Sequence, residues 1–309
     1  MKDGAVEVNL YEPNDPCICM TKQSLSNWLL FLLLSLVWGS SFILMKKSAE
    51  ELTGWQIGSL RIFAAGVAFL PFAVFHVFRI PFRKLPLVIL SGILGNLFPA
   101  FLFAVAIEKS INSSLASILN SLTPLFVITI GTLFFRVRAE KNKVLGVLIG
   151  FAGLVWLTLS RGSITLSDVG FTSLILVATI CYGINVNMVA SRLKGIDGFY
   201  IATVSMSFIA IPAGLVAAQQ QVFSLFLYDS HARAAIFLTI LLGIAGSAIA
   251  TAIFYVLIQK AGGLFASLVT YAIPIVAIFW GLMAGEDITV MQIGCLSLIL
   301  FGVWMANRK

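Results

Sequence analysis

Ten long apolar segments limit what this chain can fold into more than any other feature of its sequence. Each is close to the roughly 20 residues that a helix needs to cross a bilayer. They run over residues 27–45, 56–78, 86–107, 113–135, 143–160, 169–191, 198–219, 234–258, 264–284 and 289–306. The chain is 60% hydrophobic and only 11% charged, whereas soluble domains are about 45–50% apolar and about 25% charged. The segments therefore predict an all-α integral membrane protein with ten transmembrane helices, here called the first to the tenth span.

The distribution of basic residues predicts the orientation of these spans. If the N-terminus is inside, most of the 20 Lys and Arg residues fall in the breaks on the cytoplasmic side, as the positive-inside rule requires. Both termini are therefore predicted to be cytoplasmic, in a multi-pass protein of the plasma (inner) membrane. The net charge of +7 does not indicate a nucleic-acid partner, because the basic residues lie in short breaks rather than along one face.

Two of the predicted spans, the fourth and the ninth, carry related sequences with a proline near the middle. Ser114–Gly131 (SLASILNSLTPLFVITIG) and Leu264–Gly281 (LFASLVTYAIPIVAIFWG) align without a gap, and Pro124 in the first matches Pro274 in the second. A proline inside a soluble helix costs about 3 kcal/mol. Its occurrence at the same place in both copies therefore indicates a functional role. Two interrupted helices in corresponding halves of a chain are typical of a transporter's central binding site.

The prolines also predict a polar surface on each of these two helices. Each proline frees the backbone carbonyl four residues earlier, which belongs to Asn120 in the fourth span and to Thr270 in the ninth. In lipid such a carbonyl must find a partner in protein or in a water-filled cavity. Ser121 and Tyr271 lie beside the freed carbonyls on the same helix faces, so both faces are predicted to point into the protein.

A second pair of sequences extends this similarity into an internal repeat. Gly92–Lys109 in the third span and Gly243–Lys260 in the eighth share two glycines, a phenylalanine, an isoleucine and the closing lysine. Five helices per repeat is an odd number, so the second copy must cross the membrane in the opposite sense. The sequence thus predicts a disordered cytoplasmic tail over 1–26, followed by two inverted five-helix repeats, 27–160 and 161–309, around a central cavity.

The sequence resembles the EamA-type ten-helix permeases of the drug/metabolite transporter superfamily over about residues 27–308. The resemblance rests on the two proline-containing spans and on WGSSFILMK (Trp38–Lys46), Arg61, GEDITVMQIG (Gly285–Gly294) and GVW (Gly302–Trp304). It implies two EamA-type repeats around a cavity and, commonly, the export of amino acids or other small metabolites. The chain departs from the family pattern after the fourth span, where Arg138 replaces the expected acidic residue opposite Glu286. The resemblance therefore does not extend to a symmetric pair of carboxylates.

Three pairs of spans carry polar and aromatic residues at similar depth, and these are the candidate lining of a substrate cavity. The pairs combine the first span with the sixth, the third with the eighth, and the fourth with the ninth. The residues are Trp38, Ser41, Tyr182, Asn185, Asn96, Ser247, Thr251, Tyr255, Asn120, Ser121, Thr270 and Tyr271. Polar groups without partners are costly against lipid, so these side chains are expected to face the interior. An alternative, strongest for the serines and threonines, is that they only hydrogen-bond one helix to another.

Charged residues inside the spans are few. Arg61, about one turn inside the second span, and Lys46, at the outer end of the first, are the basic candidates for attracting a carboxylate-bearing solute or gating the outer mouth. The alternative for both is a side chain that extends to the membrane surface. No predicted span carries an acidic residue at mid-depth, so proton exchange through such a residue is not expected.

These observations predict a secondary transporter that moves a small metabolite by alternating access without ATP hydrolysis, and the resemblance to the permease family implies that it exports solutes such as amino acids. The sequence has no phosphate-binding loop, HExxH or GxSxG motif, and its four cysteines lack metal-ligand spacing. No cofactor, metal or enzymatic activity is therefore expected. Two alternatives stay open: efflux of cationic or aromatic drugs and, more remotely, an intramembrane enzyme.

The expected partners are a small-molecule solute and the lipid bilayer, and the chain is expected to be a monomer or a homodimer. Gly146, Gly150 and Gly153 form a small-residue face on the fifth span. Such a face allows two helices to approach closely. We predict that it packs within the chain rather than in a dimer contact.

Overall fold

A computed structural model of the protein describes residues 22–109, 116, 119–137, 140–159, 169–283 and 290–307. These residues are almost entirely helical and contain no β-strand, as expected for an all-α membrane protein. Most of the predicted tail over 1–26 lies outside the described residues, and so do Arg138 and Glu286. The first helix begins at Lys22, five residues before the predicted start of the first span.

The helices of the first repeat follow the predicted spans closely. The first two spans are α1 (Lys22–Ser48) and α2 (Gly54–His76). The third span consists of α3 (Leu85–Gly92), a π-helical turn (Ile93–Leu97) and α4 (Phe98–Glu108). The fourth and fifth spans contain α5 (Thr123–Phe134) and α6 (Lys141–Leu159).

The helices of the second repeat show the same kinds of interruption. The sixth and seventh spans are α7 (Val169–Ser191) and α8 (Gly198–Gln219), and a short helix that was not predicted, α9 (Val222–Tyr228), follows them. The eighth span consists of α10 (Ser230–Leu241), a π-helical segment (Leu242–Ile249) and α11 (Ala250–Ala261). The ninth span is divided into α12 (Gly263–Ser267) and α13 (Val269–Met283), and the tenth is α14 (Val290–Asn307).

Length and composition make six of the described helical segments suitable for crossing a membrane. They are Leu25–Ser48, Gly54–Arg79, Phe82–Glu108, Ser173–Ser191, Gly198–Gln219 and Ser230–Ala261. Shorter apolar helices cover Thr123–Phe134, Gly263–Val276 and Ile293–Ala306. Large apolar side chains such as Phe134 and Leu215 are exposed on the outside of the bundle, which is unfavourable in water but not in lipid. The total of ten spans is consistent with these helices and stays a prediction.

Glycines bring several of the helices into close contact. A Cβ atom at Gly302 in the tenth span would overlap the backbone of Gly146 and Gly150 in the fifth. Similarly, a Cβ atom at Gly66 in the second span would overlap Met206 and Ala210 in the seventh. The prediction that the small-residue face of the fifth span packs within the chain is therefore confirmed.

The acidic residue at the end of the third span has a structural role. The backbone N–H of Gly54 donates to the Glu108 carboxylate over 2.8 Å, which places a negative charge at the N-terminus of α2. Anionic groups are favourable at that end of a helix. Thr53 and Gln56 complete the start of α2 with reciprocal side-chain caps. Glu108 thus joins the second span to the third.

Candidate substrate cavity

A cavity lies between the two repeats, bounded by the first, second, third, fourth, sixth, eighth and ninth spans. Its volume is about 90 Å³, on a scale in which one water molecule needs about 10–15 Å³. Ten of the residues proposed from the sequence line it: Trp38, Ser41, Arg61, Asn96, Asn120, Tyr182, Asn185, Thr251, Tyr255 and Thr270. Polar residues from both repeats, far apart in the sequence, thus surround one space.

Aromatic residues that were not among the predicted site residues complete the cavity walls. Phe254 packs edge-on against Trp38, with ring centroids 5.0 Å apart, and Phe103 stacks on Tyr182 at 6.2 Å. Phe42 also lines the cavity. The repeat alignment holds a signal for two of these residues, because Phe103 and Phe254 occupy matching positions in the third and eighth spans.

Three polar residues of the eighth span, spaced four residues apart, each contact a polar residue of a different span. Their side chains therefore lie on one face of that helix. The three contacts are Ser247 with Arg61 (second span, 2.6 Å), Thr251 with Asn96 (third span, 2.8 Å) and Tyr255 with Asn185 (sixth span, 3.2 Å). We call these contacts the polar ladder. The ladder connects the eighth span to both repeats along one side of the cavity.

The third contact of the ladder determines how the Asn185 amide is oriented. The Tyr255 hydroxyl has one hydrogen, which it donates to the Ser91 carbonyl over 3.2 Å. It must therefore accept its second hydrogen bond, and the Asn185 Nδ2 group is the donor. Gly95 leaves room for this contact, because a Cβ atom there would overlap both Asn185 and the Tyr255 hydroxyl. The Oδ1 atom of Asn185 consequently remains available.

Asparagine atoms in the cavity wall lack hydrogen-bond partners among the described residues. They are Asn96 Nδ2, Asn120 Oδ1 and Asn185 Oδ1. One is a donor and two are acceptors. Buried polar atoms are usually paired with protein or water. Three such atoms around one cavity therefore indicate a space built to hold something polar.

Arg61 brings a positive charge to the cavity wall. Its guanidinium is partly buried, and its Nε–H donates to the Ser247 hydroxyl. Within the described residues the salt bridges are Lys109–Glu108 and Lys143–Glu140, neither of which involves Arg61. In the described part of the chain, the charge of Arg61 is therefore not neutralised by a carboxylate.

Hydroxyl groups bond both carbonyls that the prolines free. In the fourth span the Thr123 hydroxyl donates to the Asn120 carbonyl over 2.6 Å. In the ninth span the Thr270 carbonyl accepts a hydrogen bond of 3.0 Å from Ser121, which belongs to the fourth span. The two proline-containing spans therefore meet at the carbonyl freed in the second repeat.

The sequence predicted similar breaks at Pro124 and Pro274, and the structure differs at the second proline. Pro124 lies in the first turn of α5, directly after a break in the fourth span. Pro274 lies inside α13, and the ninth span is instead interrupted at Leu268. The helix continues through Pro274 because the Ser121 hydroxyl supplies the donor that proline lacks.

The structure places four predicted site residues outside the cavity lining: Tyr271, Ser121, Lys46 and Ser247, whose hydroxyl bonds to Arg61. The Tyr271 ring packs over Gly150 in the fifth span, and its hydroxyl donates to the Val147 carbonyl over 2.8 Å. Ser121 is fully buried and donates to the Thr270 carbonyl. Lys46 is exposed at the end of α1, which agrees with the alternative interpretation that its side chain extends to the membrane surface. Packing against neighbouring helices thus turns the first two side chains away from the cavity.

π-Helical segments occur at matching positions of the third and eighth spans. Gly95 and Gly246, which align in the repeat, lie in these segments, and both glycines line the cavity. The indole N–H of Trp38 donates to the Gly246 carbonyl over 3.0 Å. π-Helical turns are rare and are often found at functional sites. Their paired occurrence marks the same region of both repeats as unusual.

The fold and the cavity define a helical, multi-pass membrane protein with a polar chamber between two repeated halves. The sequence matches the EamA-like transporter family over residues 26–159 and again over 172–308. The chain therefore belongs to this family, and the resemblance to the EamA-type permeases is confirmed.

Comparison with individual proteins agrees with this assignment. The chain is 27% identical over 292 residues to a protein of Archaeoglobus fulgidus named an uncharacterized transporter, covering 92% of this chain and 100% of that protein. It is 25% identical over 278 residues to the uncharacterized inner membrane transporter YedA of Escherichia coli (strain K12), covering 87% of each. A crystal structure with 18% sequence identity superposes with a TM-score of 0.66 over 91% of this chain and 96% of that chain, and it shows the same fold.

Proposed function

We propose that this protein is a secondary transporter that exports small polar metabolites, such as amino acids, across the inner membrane. The cavity between the repeats carries the proposal, because asparagine atoms in its wall have no partner among the described residues. Leaving a buried polar atom unpaired costs about 1–3 kcal/mol, and a polar solute would supply the missing hydrogen bonds. Membership of the EamA-like transporter family and the name of the relative YedA support transport in that membrane.

The size of the cavity favours a small metabolite over a bulky drug. A volume of about 90 Å³ is well below the roughly 300–1,000 Å³ of pockets that hold drug-sized ligands. The aromatic walls formed by Trp38, Phe103 and Phe254 would hold the apolar part of such a solute.

Alternating access would use the interruptions that recur in the two repeats. The π-helical segments of the third and eighth spans and the breaks in the fourth and ninth spans are places where a helix can bend. On the predicted cytoplasmic side, Trp28, Phe31 and Phe265 pack together with ring centroids 5.2–5.5 Å apart. We call this group the aromatic cluster. It joins the first span to the ninth and would have to separate for a solute to enter from the cytoplasm.

Efflux of cationic drugs is the rival hypothesis within transport. Aromatic walls suit a cation, but Arg61 would repel one, and the described residues that line the cavity include no carboxylate. The charge at the cavity thus supports zwitterionic or anionic solutes over cations. Cationic dyes therefore belong in the test as a contrasting set.

Reconstitution of the purified protein in liposomes tests the proposal. Liposomes loaded with radiolabelled amino acids, other small metabolites or cationic dyes should release the first two classes in a protein-dependent manner without ATP. The controls are liposomes without protein and liposomes containing the Gly302→Ile variant, in which the fifth and tenth spans should not pack correctly. Protein-dependent release of the dyes alone would favour the rival hypothesis, and no release of any solute would contradict both.

A further inference from the structure

We infer that the solute binds through a carboxylate group, which Arg61 and Asn96 hold at one end of the cavity. The inference rests on the proposed function and names the chemical class of solute that the cavity accepts. It also orients the bound solute in the cavity. The carboxylate of the solute lies beside the second and third spans, and a hydrogen-bond donor of the solute lies at the opposite end. The observations that carry it are the uncompensated charge of Arg61 and the arrangement of unpaired atoms around it.

The guanidinium of Arg61 has unused donors. An arginine side chain has five N–H groups in one plane, and the described contacts use the Nε–H, which is bonded to the Ser247 hydroxyl. That bond fixes the plane of the guanidinium and leaves its Nη groups available. A planar pair of N–H donors matches the two oxygens of a carboxylate, which arginine commonly binds through two parallel hydrogen bonds.

The polar ladder places a second donor next to Arg61. Arg61 and Asn96 contact Ser247 and Thr251, which are one helical turn apart on the same face of the eighth span. Thr251 bonds to the Oδ1 atom of Asn96, so the Nδ2 atom is the unpaired one. Both side chains line the cavity. An anionic group that binds the Arg61 guanidinium is therefore within reach of a neutral N–H donor as well.

Acceptor atoms are found elsewhere in the cavity. Asn185 Oδ1 lies beside the third contact of the ladder, two helical turns from the Ser247 contact, and Asn120 Oδ1 belongs to the fourth span. An acceptor suits an ammonium or hydroxyl group of the solute. With donors at one end and acceptors away from it, the cavity complements a molecule that carries a carboxylate and a separate donor group.

An amine that lacks a carboxylate should be excluded for the same reason. A cation in the cavity would face the Arg61 charge in a surrounding of low dielectric constant, where like charges repel strongly. Specificity often comes from such repulsion as much as from attraction. The positive charge of Arg61 thus both attracts the carboxylate and discriminates against cationic solutes.

Binding of matched compounds to the purified protein tests this inference separately from transport. The probes are leucine, phenylalanine and threonine, each with its analogue lacking the amino group and its analogue lacking the carboxylate. Affinity is measured in detergent by isothermal titration calorimetry. We expect at least one amino acid to bind, its deaminated analogue to bind more weakly, and its decarboxylated analogue not to bind. Equal binding of the decarboxylated analogue, or no binding by any carboxylate, would overturn the inference.

Three variants identify the residues responsible. Arg61→Gln should weaken carboxylate binding about 10- to 100-fold, the range expected for loss of a hydrogen bond to a charged group. Arg61→Lys should retain part of the affinity because it keeps the charge. Asn96→Asp preserves the shape of the side chain but offers Arg61 an internal carboxylate, so it should reduce binding although Arg61 is intact. Lys47→Gln removes an exposed positive charge outside the cavity and is the control that should bind like the wild type.

The outcomes separate the carboxylate site from the proposed function. If a neutral solute is transported and neither Arg61→Gln nor Asn96→Asp alters its flux, the carboxylate site is wrong while the transporter proposal stands. If carboxylates bind with the expected dependence on Arg61 but no solute crosses the membrane, the site stands and the transporter proposal fails. Each variant is first checked for a single symmetric peak in size-exclusion chromatography. Should Arg61→Gln aggregate, Asn96→Asp decides the question.

Discussion

Tyr255 and Tyr271 are both fully buried tyrosines in the second repeat, yet their hydroxyl groups serve different purposes. The Tyr255 hydroxyl lines the cavity and accepts a hydrogen bond from Asn185. The Tyr271 hydroxyl donates to the Val147 carbonyl of the fifth span, away from the cavity. Sequence patterns proposed both as cavity residues. The difference arises because the direction of each side chain depends on the helix against which it packs.

Removing the two hydroxyl groups should therefore have different consequences: loss of the first should affect transport, and loss of the second should affect stability. Tyr255→Phe leaves Asn185 Nδ2 without its acceptor in the cavity, so we expect solute flux in liposomes to fall several-fold. Tyr271→Phe should leave flux unchanged but lower the stability of the purified protein by about 1 kcal/mol, the usual value of one hydrogen bond. Flux and the thermal unfolding midpoint are measured for both variants. Loss of flux in Tyr271→Phe with normal stability would contradict the assignment of this residue.

Asn120 offers a second test at the scale of one residue. Its Oδ1 atom is buried in the cavity wall without a partner among the described residues. Asn120→Ala removes that acceptor and should reduce flux, while membrane insertion and expression stay at the wild-type level. Asn187, which is buried but bonds the Val127 and Gly183 carbonyls, is the contrasting position. Asn187→Ala should instead reduce stability. Unchanged flux in Asn120→Ala would argue against a role for this acceptor in transport.

At the scale of elements, the proline-containing spans show how a helix can continue through a proline. The Thr270 carbonyl loses its usual donor because residue 274 has no N–H, and Ser121 of the other repeat replaces it. This contact couples the fourth span to the ninth across the boundary between the repeats. The hydrogen bonding of α13 around Pro274 therefore depends on a side chain more than a hundred residues away in the sequence.

This dependence predicts a compensating pair of substitutions. Ser121→Ala should lower the free energy of unfolding by about 1–3 kcal/mol, because the Thr270 carbonyl then lacks a partner. Adding Pro274→Ala restores an N–H at residue 274 and should recover most of the loss. A double-mutant cycle of thermal unfolding measures this coupling. Ser35→Ala is the control, since the Ser35 hydroxyl bonds a carbonyl within its own helix. Additive effects of Ser121→Ala and Pro274→Ala would contradict the proposed coupling.

Close packing of the fifth and tenth spans gives a prediction about two glycines in one helix. Gly302 approaches the backbone of Gly146 and Gly150, whereas a Cβ atom at Gly294 would have nothing within 4 Å. Gly302→Ala should therefore strongly destabilise the protein, by separating the two helices. Gly294→Ala should be neutral or slightly stabilising, because alanine favours a helix by up to about 1 kcal/mol over glycine. Thermal unfolding of both variants in detergent checks this, and equal midpoints would argue against the packing.

At the scale of the whole molecule, the proposed alternating access requires that the two ends of the cavity open in turn. The aromatic cluster of Trp28, Phe31 and Phe265 connects the first span to the ninth at one end. If this end must open during each cycle, then a cross-link across the cluster should stop transport. Cysteines at 28 and 265, in a background where the four native cysteines are replaced by serine, provide the sites for such a cross-link.

Treatment of this variant with a short bifunctional thiol reagent should abolish flux, whereas either single cysteine should remain active after the same treatment. A reducible cross-linker allows flux to be recovered with dithiothreitol. Full flux in the cross-linked protein, with complete cross-linking shown by a gel shift after proteolysis between the two sites, would contradict the requirement for opening at this end.

Much of this molecule could be predicted from the sequence because the deciding signals are local. Apolar segments of membrane-spanning length predicted the helical fold, and most helix ends lie within a few residues of the predicted ones. The repeat alignment paired the third span with the eighth, and the π-helical segments around Gly95 and Gly246 lie at matching positions of that alignment, although only the breaks at the two prolines were predicted. Most of the proposed site residues line the cavity as well, since polar side chains in a membrane helix avoid lipid.

The sequence by itself therefore determined the class of fold, the repeat and the set of polar residues from which a site could be built. Only the tertiary structure decided which of them meet: Arg61 with Ser247, Asn96 with Thr251, and Ser121 with the Thr270 carbonyl. It also turned Tyr271 towards the fifth span. The physical reason is that the rotation of each helix about its own axis depends on contacts with its neighbours, which a pattern along one helix does not contain.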